Sequence, residues 1–421
     1  MSARPRRITI LNQFYPPDLA PTAHLAASLA RHRADQGDTV TVICGRSSYV
    51  GGAGSSAGPG TGHGTDGDTG ATGTVTVIRV ATPGSGKSSV LTRLTGYIGF
   101  HLGALVRLVS LPRQDVVVSM TTPPYLVTWP VLLALISRVR VVLWSMDVYP
   151  DAAERFDQVD PRGTTSRVLR ALNRWLYPRL DHLVTLDPAM TDLLVSQYGR
   201  GDRPATTVIP NWEPAELFPD DSTSEPWSGY RRPDLAGRTV VAYTGNTGTG
   251  HRFDTVVAAA GRLDPDRDAF LFVGGGVRWK ELESAALALG SGHGAPFVLQ
   301  GYLDKSEMPG VLCGARASLI TLDDDALGVM SPSKLHTSLG MGRPVIYIGP
   351  VGSNVDEAIA RFDCGFSLRH GDVDGLVDAI SRLRDDDALH ARLSANARRA
   401  FDEAYCDTVA LPRFDEIIDH L

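Results

Sequence analysis

Short runs of β-branched residues alternate with longer helical patterns along nearly the whole chain, in two successive series. The first holds RRITILN (6–12), TVTVIC (39–44), VTVIRVA (75–81), DVVVSM (115–120), VRVVLWSMD (139–147), HLVTLD (182–187) and TTVIPN (206–211). The second holds TVVAYTG (239–245), AFLFVGGG (269–276), APFVLQGYL (295–303), ASLITL (317–322), RPVIYIG (343–349) and CGFSL (364–368). Strands that are continuously apolar and separated by helices belong to parallel βαβ units buried on both faces. The first helix is expected over 22–36, closed by Gly37. In the second series helices are expected near 253–263, 277–290, 305–313, 333–341, 353–360 and 372–384.

The chain therefore reads as two doubly wound α/β halves. The first spans 1–211 and the second 239–399. A linker, 212–238, carries Pro214, Pro219, Pro226 and Pro233, and a last segment, 400–421, follows. Within the first half, 51–74 holds ten glycines and no large apolar side chain. Such a stretch cannot offset its ordering entropy, so a mobile surface loop is expected. A ligand cleft is expected between the halves, at the carboxyl ends of their strands.

Composition excludes several classes. Forty-one basic against 47 acidic residues, net charge −6, is not the basic excess of a nucleic-acid binder. Cys44, Cys313, Cys364 and Cys406 lie far apart, which argues against a zinc cage or disulfide framework and fits a reducing cytoplasm. No apolar run is long enough for a membrane span or a signal peptide. GSGKSS (84–89) imitates a phosphate loop, but Ala81 stands where the full pattern needs Gly.

Chemistry gathers in the second half. Tyr243-Thr244-Gly245-Asn246-Thr247-Gly248-Thr249-Gly250-His251-Arg252 is a glycine-rich turn between strand and helix. Without Cβ atoms its backbone can approach a phosphate, and the plainer reading is a tight turn. Val273-Gly274-Gly275-Gly276 closes the next strand, with Arg278 and Lys280 beyond, and Gln300-Gly301-Tyr302 follows the one after. Pro332 and Ser333 fit a helix start. Lys334 then falls in the first turn, where the helix dipole disfavours a cation. A bound anion would account for it, with phosphate the natural candidate; the plainer reading is a lysine reaching into solvent.

In this order these residues resemble the GT-B glycosyltransferases, specifically retaining glycosyltransferase family 4, with the colanic-acid and capsule-type sugar transferases as the nearest flavour. The resemblance covers nearly the whole chain. It includes NQFYPPDLAPTAHLAASLARHRADQGDTVTVIC, DVVVSMTTPPYL (115–126), WSMDVYPD (144–151), RWLYPRLDHLVTLDPAM (174–190), VIPNWEP (208–214), YTGNTG (243–248) and PSKLHTSLGMGRPVI (332–346). It implies two Rossmann-like domains facing across a cleft, with 400–421 crossing back to the first. It implies metal-independent transfer of a sugar, with retention, from a UDP, GDP or dTDP sugar to an acceptor hydroxyl. No cofactor beyond that co-substrate and no nucleic-acid partner are expected, and the enzyme would be cytoplasmic.

By position, the resemblance implies that Gly245, Asn246, Gly248 and His251 line the diphosphate, which Lys334 neutralises from the Ser333 turn. Gly276 and Lys280 would flank the nucleotide, and Gln300 and Tyr302 the base. Asp147 would hydrogen-bond the donor sugar or take the acceptor's proton; capping the turn before Pro150 is its plainer role. The chain departs from the family at the two usual Glu positions, which here are Val329 and Thr337. Thr337 can still bond a ribose hydroxyl, without a carboxylate's charge-assisted strength. Asp323, Asp324 or Asp325 could supply the missing acceptor, or form a solvated acidic turn. On the acceptor side Tyr15, Asp18, Thr22 and His24 border the cleft. The amphipathic stretch 89–109 could touch a membrane bearing a lipid-linked acceptor, placing the enzyme peripherally at the inner face, or it could pack on the first sheet. A non-catalytic sugar-nucleotide-binding scaffold and a GT-B epimerase are the rival functions.

Overall fold

A computed structural model describes residues 4–18, 20–46, 65–69, 74–81, 90–218, 225–289 and 294–421. The first lobe runs β1 (Arg7–Leu11), α1 (Pro21–Asp35), β2 (Thr39–Gly45), β3 (Thr65–Thr69), β4 (Thr74–Val80), α2 (Val90–Ser110) and β5 (Val116–Met120). It continues with α3 (Thr128–Ala134), β6 (Arg140–Trp144), α4 (Asp151–Arg155), α5 (Thr164–Leu176), β7 (His182–Thr185), α6 (Pro188–Tyr198) and β8 (Ala205–Val208). The second lobe runs β9 (Thr239–Asn246), α7 (Asp254–Ala260), β10 (Asp268–Gly275), α8 (Trp279–Leu289), β11 (Phe297–Gln300), α9 (Met308–Gly314) and β12 (Ala317–Thr321). Then come α10 (Lys334–Gly340), β13 (Val345–Ile348), α11 (Asn354–Phe362), β14 (Gly365–Leu368), α12 (Val373–Asp385), α13 (Asp387–Ala400) and α14 (Asp407–His420).

The first sheet has the order β3-β4-β2-β1-β5-β6-β7-β8 and the second β11-β10-β9-β12-β13-β14. Every pairing is parallel except β3 with β4. Val116, Val117 and Val118 of β5 and Val345 and Ile346 of β13 are fully buried, as strands covered on both faces require. In each sheet the strand order reverses beside the first strand of the lobe: β1 lies between β2 and β5, and β9 between β10 and β12. The loops that leave such a reversal point diverge, which opens a crevice at the carboxyl ends of the strands.

One expectation needs correcting. The stretch 51–74 is not all loop, because Thr65–Thr69 pairs antiparallel with Thr74–Ile78 as an edge strand. Pairing there satisfies backbone groups without requiring a large side chain to bury. The rest of that stretch, and GSGKSS (84–89), lie outside the described residues.

The chain returns to the first lobe at its end. A five-residue π turn, Phe401–Tyr405, leads into α14, whose Phe414 packs against Trp144 and Trp212 at 4.6 and 5.8 Å between ring centroids. Trp144 and Trp212 themselves stack at 5.2 Å. Buried Arg33 of α1 binds Asp38, Asp415 and Asp419 at 2.6, 2.9 and 2.8 Å. Burial alone would raise the Asp415 carboxyl, but hydrogen bonds from His32, Gln36 and Arg33 outweigh it and hold the group near 2. The lobes also touch directly: the Val148 amide donates to Val329 O at 3.1 Å, and Arg155 to the carbonyls of Asp325 and Leu327. Replacing Phe414 by Ala should open a cavity between the two tryptophans and cost about 3–5 kcal/mol. Guanidinium unfolding followed by tryptophan fluorescence checks this, since the affected rings are the reporters.

Candidate active site

The reversal point of the second sheet collects the groups that the sequence singled out. The ends of β9 and β10 lie side by side, with Gly245 opposite Gly274 and Asn246 opposite Gly275. They approach so closely that a Cβ at Gly274 would overlap the Gly245 carbonyl. One at Gly276 would overlap Asn246 Oδ1 and lie 2.7 Å from Thr247 O. Both glycines have positive φ, +142° and +144°. Two of the three glycines after Val273 are therefore needed to fold the turn itself.

Lys334 opens α10 and extends over this turn. Its Nζ donates to Asn246 O at 3.3 Å and to His251 Nε2 at 3.2 Å, and it lies 4.7 Å from the centre of the Tyr243 ring. A Cβ built on Gly245 would sit 3.5 Å from Lys334 Cε. Such a face-on approach to a phenol ring is attractive for an ammonium group. The Asn246 carbonyl is further fixed by the Tyr243 hydroxyl, which donates to it at 2.9 Å.

His251 is buried and its ring orientation is determined. Nδ1 lies 2.6 Å from Thr321 O, which can only accept, so Nδ1 carries the hydrogen. Nε2 is then a lone pair and receives the lysine. Burial, reinforced by the Lys334 charge, lowers His251 to about 3, so the imidazole stays neutral. Burial also pulls Lys334 down to about 7, and no carboxylate among the described residues opposes the shift. An ammonium bound by a carbonyl, a neutral imidazole and a ring face keeps its charge uncompensated. That arrangement can receive an anion.

The remaining predicted residues divide. Ser333 is the residue before α10 but makes no side-chain cap bond, since its backbone is already helical (φ −69°, ψ −15°); its carbonyl accepts from His336 Nδ1 instead. With only seven residues, α10 lends little dipole, so the carbonyl, imidazole and ring account for the lysine's placement better than the helix start does. Thr337, one turn along α10, donates to Glu213 Oε1 at 3.4 Å. Gly248 accepts the His251 amide at 3.3 Å. Tyr302 is largely exposed and donates to Gly275 O at 3.4 Å, beside half-buried Gln300. Lys280 is exposed on α8, and no contact ties it to the Lys334 group. Asp324 and Asp325 are exposed, and Asp323 accepts the Asp325 amide, so the acidic turn is solvated and supplies no inward carboxylate.

In the first lobe Asp147 follows β6. Its amide and that of Met146 donate to Thr121 Oγ1 at 3.2 and 3.0 Å, joining the loops after β5 and β6. Burial raises the Asp147 carboxyl to about 6, and Asp147 lines a small cavity of about 20 Å³ with Thr121, Tyr125, Tyr149 and Asn173. Asp18 is buried and accepts the Ala20 amide at 3.2 Å, so it shapes the entry to α1. Thr22 is half-buried with its carbonyl bonded to Asn12, and His24 is exposed. Glu213, Tyr243, Thr321 and Thr121 were not anticipated. Tyr243 and Thr321 sit inside strand patterns that read as core, and Glu213 lies in the linker.

These features define a two-lobed α/β fold with a cation-bearing turn at the reversal point of its second sheet. Residues 22–212 match the glycosyl transferase 4-like domain family. The chain is 25% identical to the probable glycosyltransferase WbjE of Pseudomonas aeruginosa over 334 residues, 79% of this chain and 81% of that one. It superposes with a TM-score of 0.69 on Anabaena HepE solved with UDP and glucose, at 14% identity, covering 99% and 100% of the two chains. The α,α-trehalose-phosphate synthase (UDP-forming) of Burkholderia xenovorans gives 0.65 at 13% identity, covering 98% and 100%. The architecture is GT-B, and the match to a glycosyl transferase 4-like domain falls in the first lobe.

Replacing Gly276 by Ala should destabilise the turn beneath Lys334 by about 1–3 kcal/mol, the cost of holding a side chain in that backbone region. Thermal unfolding of the variant against the parent measures it.

Proposed function

We propose that the chain transfers a sugar from a nucleotide-diphosphate donor to an acceptor hydroxyl with retention and without a metal ion. The observation that carries this reading is the Lys334 ammonium, oriented over the Gly245 turn with no carboxylate partner among the described residues. A departing nucleoside diphosphate develops negative charge, and a preorganised cation with backbone amides is suited to stabilise it. In this reading Gly245, Asn246 and Gly248 line the diphosphate, and His251 holds the lysine in place. Gly276 and Lys280 flank the nucleotide, and Gln300 and Tyr302 border the base.

The ribose falls to Thr337, one helical turn from Lys334, acting together with Glu213. The Thr337 hydroxyl donates to the Glu213 carboxylate at 3.4 Å, so a charged acceptor stands beside the position where the family resemblance leads one to expect a Glu. UDP is the first nucleotide to test among UDP, GDP and dTDP, because HepE of the same fold was solved with it. In the facing lobe Asp147 contacts the donor sugar or takes the acceptor's proton. Its raised carboxyl, near 6, is suited to exchanging a proton near neutrality. Asp18, Thr22 and His24 shape the acceptor side. Retention rests on the family-4 resemblance, with front-face attack assisted by the leaving phosphate.

Lys334→Ala should lower turnover about a hundredfold, roughly 3 kcal/mol of transition-state stabilisation, with an unchanged melting profile. Turnover with a saturating UDP sugar in the presence of EDTA should match that without it. A donor-saturated Lys334→Ala enzyme of parental rate would defeat the lysine's role, and loss of activity in EDTA would defeat metal independence. Release of nucleotide from a donor sugar by the parent distinguishes the enzyme from a binding scaffold.

A further inference from the structure

The two lobes exchange side chains where they meet. Val329, in the second lobe between β12 and α10, is fully buried and belongs to the same apolar core as Met146, Val148, Leu186 and Met190 of the first lobe. Met330 beside it packs against the cores of both lobes, and so does Phe156, which follows α4 of the first lobe. Gly250, the last glycine of the turn after β9, leaves room for both. A Cβ there would overlap Met330 Sδ and lie 3.5 Å from Phe156 Cζ.

The main chains are joined along the same seam. The Val148 amide donates to Val329 O at 3.1 Å. Arg155 Nη1 donates to Leu327 O at 2.7 Å and to Asp325 O at 3.1 Å. Gly328, at φ +75°, approaches the start of α6 so closely that a Cβ would lie 2.9 Å from Ala189 O. Every residue from Asp325 to Met330 except Ala326 thus has a named contact with the first lobe. Val329 is also one of the two positions where the family resemblance leads one to expect a Glu. A carboxylate in this apolar setting would be buried without a partner, which is costly. The departure from Glu therefore has a structural account: this position serves the seam and is withdrawn from the crevice.

We propose that residues 325–330 lock the lobes together in the ligand-free protein, with Arg155 as a positioning residue that holds Asp147 in register with Lys334. Val148, bonded across the seam, directly follows Asp147, and Met330 precedes Lys334 by four residues. The Asp323 amide donates to Gly250 O at 2.9 Å, so the locking segment is tied to the glycine turn as well. The seam thus reaches the first-lobe carboxylate and the second-lobe amine through short stretches of chain. Their competent arrangement exists before a donor arrives, which removes the loss of affinity that a sparsely populated closed state would impose. Only the roles of Asp147 and Lys334 rest on the transfer reading; the lock itself does not.

Hydrogen exchange of the full chain, read by mass spectrometry in peptides spanning Val148, tests the lock, because that amide is released when the seam opens. Exchange there should be slow without ligand, and UDP should not slow it further. Arg155→Ala should speed it about tenfold and lower turnover with a UDP sugar about tenfold, while affinity for UDP, held by the second lobe, stays unchanged. Arg155→Lys, which keeps a donor for the two carbonyls, should restore both. Val329→Ser is the independent arm and should speed exchange likewise; if it folds poorly, Arg155→Ala, which leaves both apolar cores intact, decides. Fast exchange in the ligand-free parent that UDP slows would overturn the proposal, as would parental exchange in the folded variants. Parental turnover in an Arg155→Ala protein whose seam has opened would remove the positioning role. A parent that is protected at Val148 yet transfers no sugar would defeat the transfer reading and leave the lock standing.

Discussion

The second lobe is organised around one amine, Lys334, whose positive charge no carboxylate among the described residues cancels. Lys334 meets a carbonyl, a neutral imidazole and a phenol ring, three partners that orient the amine and do not neutralise its charged form. Each is secured by the sheet beneath. Tyr243 is a buried residue of β9, Asn246 ends the same strand, and His251 is locked by the last residue of β12. The strand order places β9 and β12 next to each other at the reversal point, so topology and electrostatics converge on a single position.

Much of this was legible in the sequence. The two strand series and the helices between them follow from buried β-branched runs, and the glycine turn and Lys334 stand out on physical grounds. Strand ends were less so. The run 139–147 reads as one strand, yet β6 stops at Trp144, because Met146 and Asp147 turn aside to bond Thr121. Thr65–Thr69 was hidden for a different reason: an edge strand paired through its backbone leaves little trace in a Gly- and Asp-rich sequence.

The site shows where sequence reasoning stops. Glu213 lies 124 residues from Thr337 in the chain, and no local pattern links a linker glutamate to a helix threonine. Position 337 lacks the carboxylate that the family resemblance leads one to expect, and Glu213 brings a carboxylate to the Thr337 hydroxyl from 124 residues earlier. Of residues 323–325, the other source considered, the Asp323 carboxylate accepts the Asp325 amide within its own turn, and Asp324 and Asp325 are exposed. Tyr243 and Thr321 act through position alone, since a buried strand residue looks the same in sequence whether or not a lysine rests on it.

The central claim concerns charge, and proton linkage reads it directly. With Lys334 near 7 in the free protein, most of its amines are neutral at pH 8, and a bound diphosphate would raise the group and draw a proton from solvent. Affinity for UDP should consequently fall as pH rises above 7. Titration calorimetry of UDP binding at pH 8, in buffers of differing ionisation enthalpy, should show uptake of close to one proton, and Lys334→Met should abolish it. UDP binding with no proton exchange, and with equal affinity in Lys334→Met, would contradict the account.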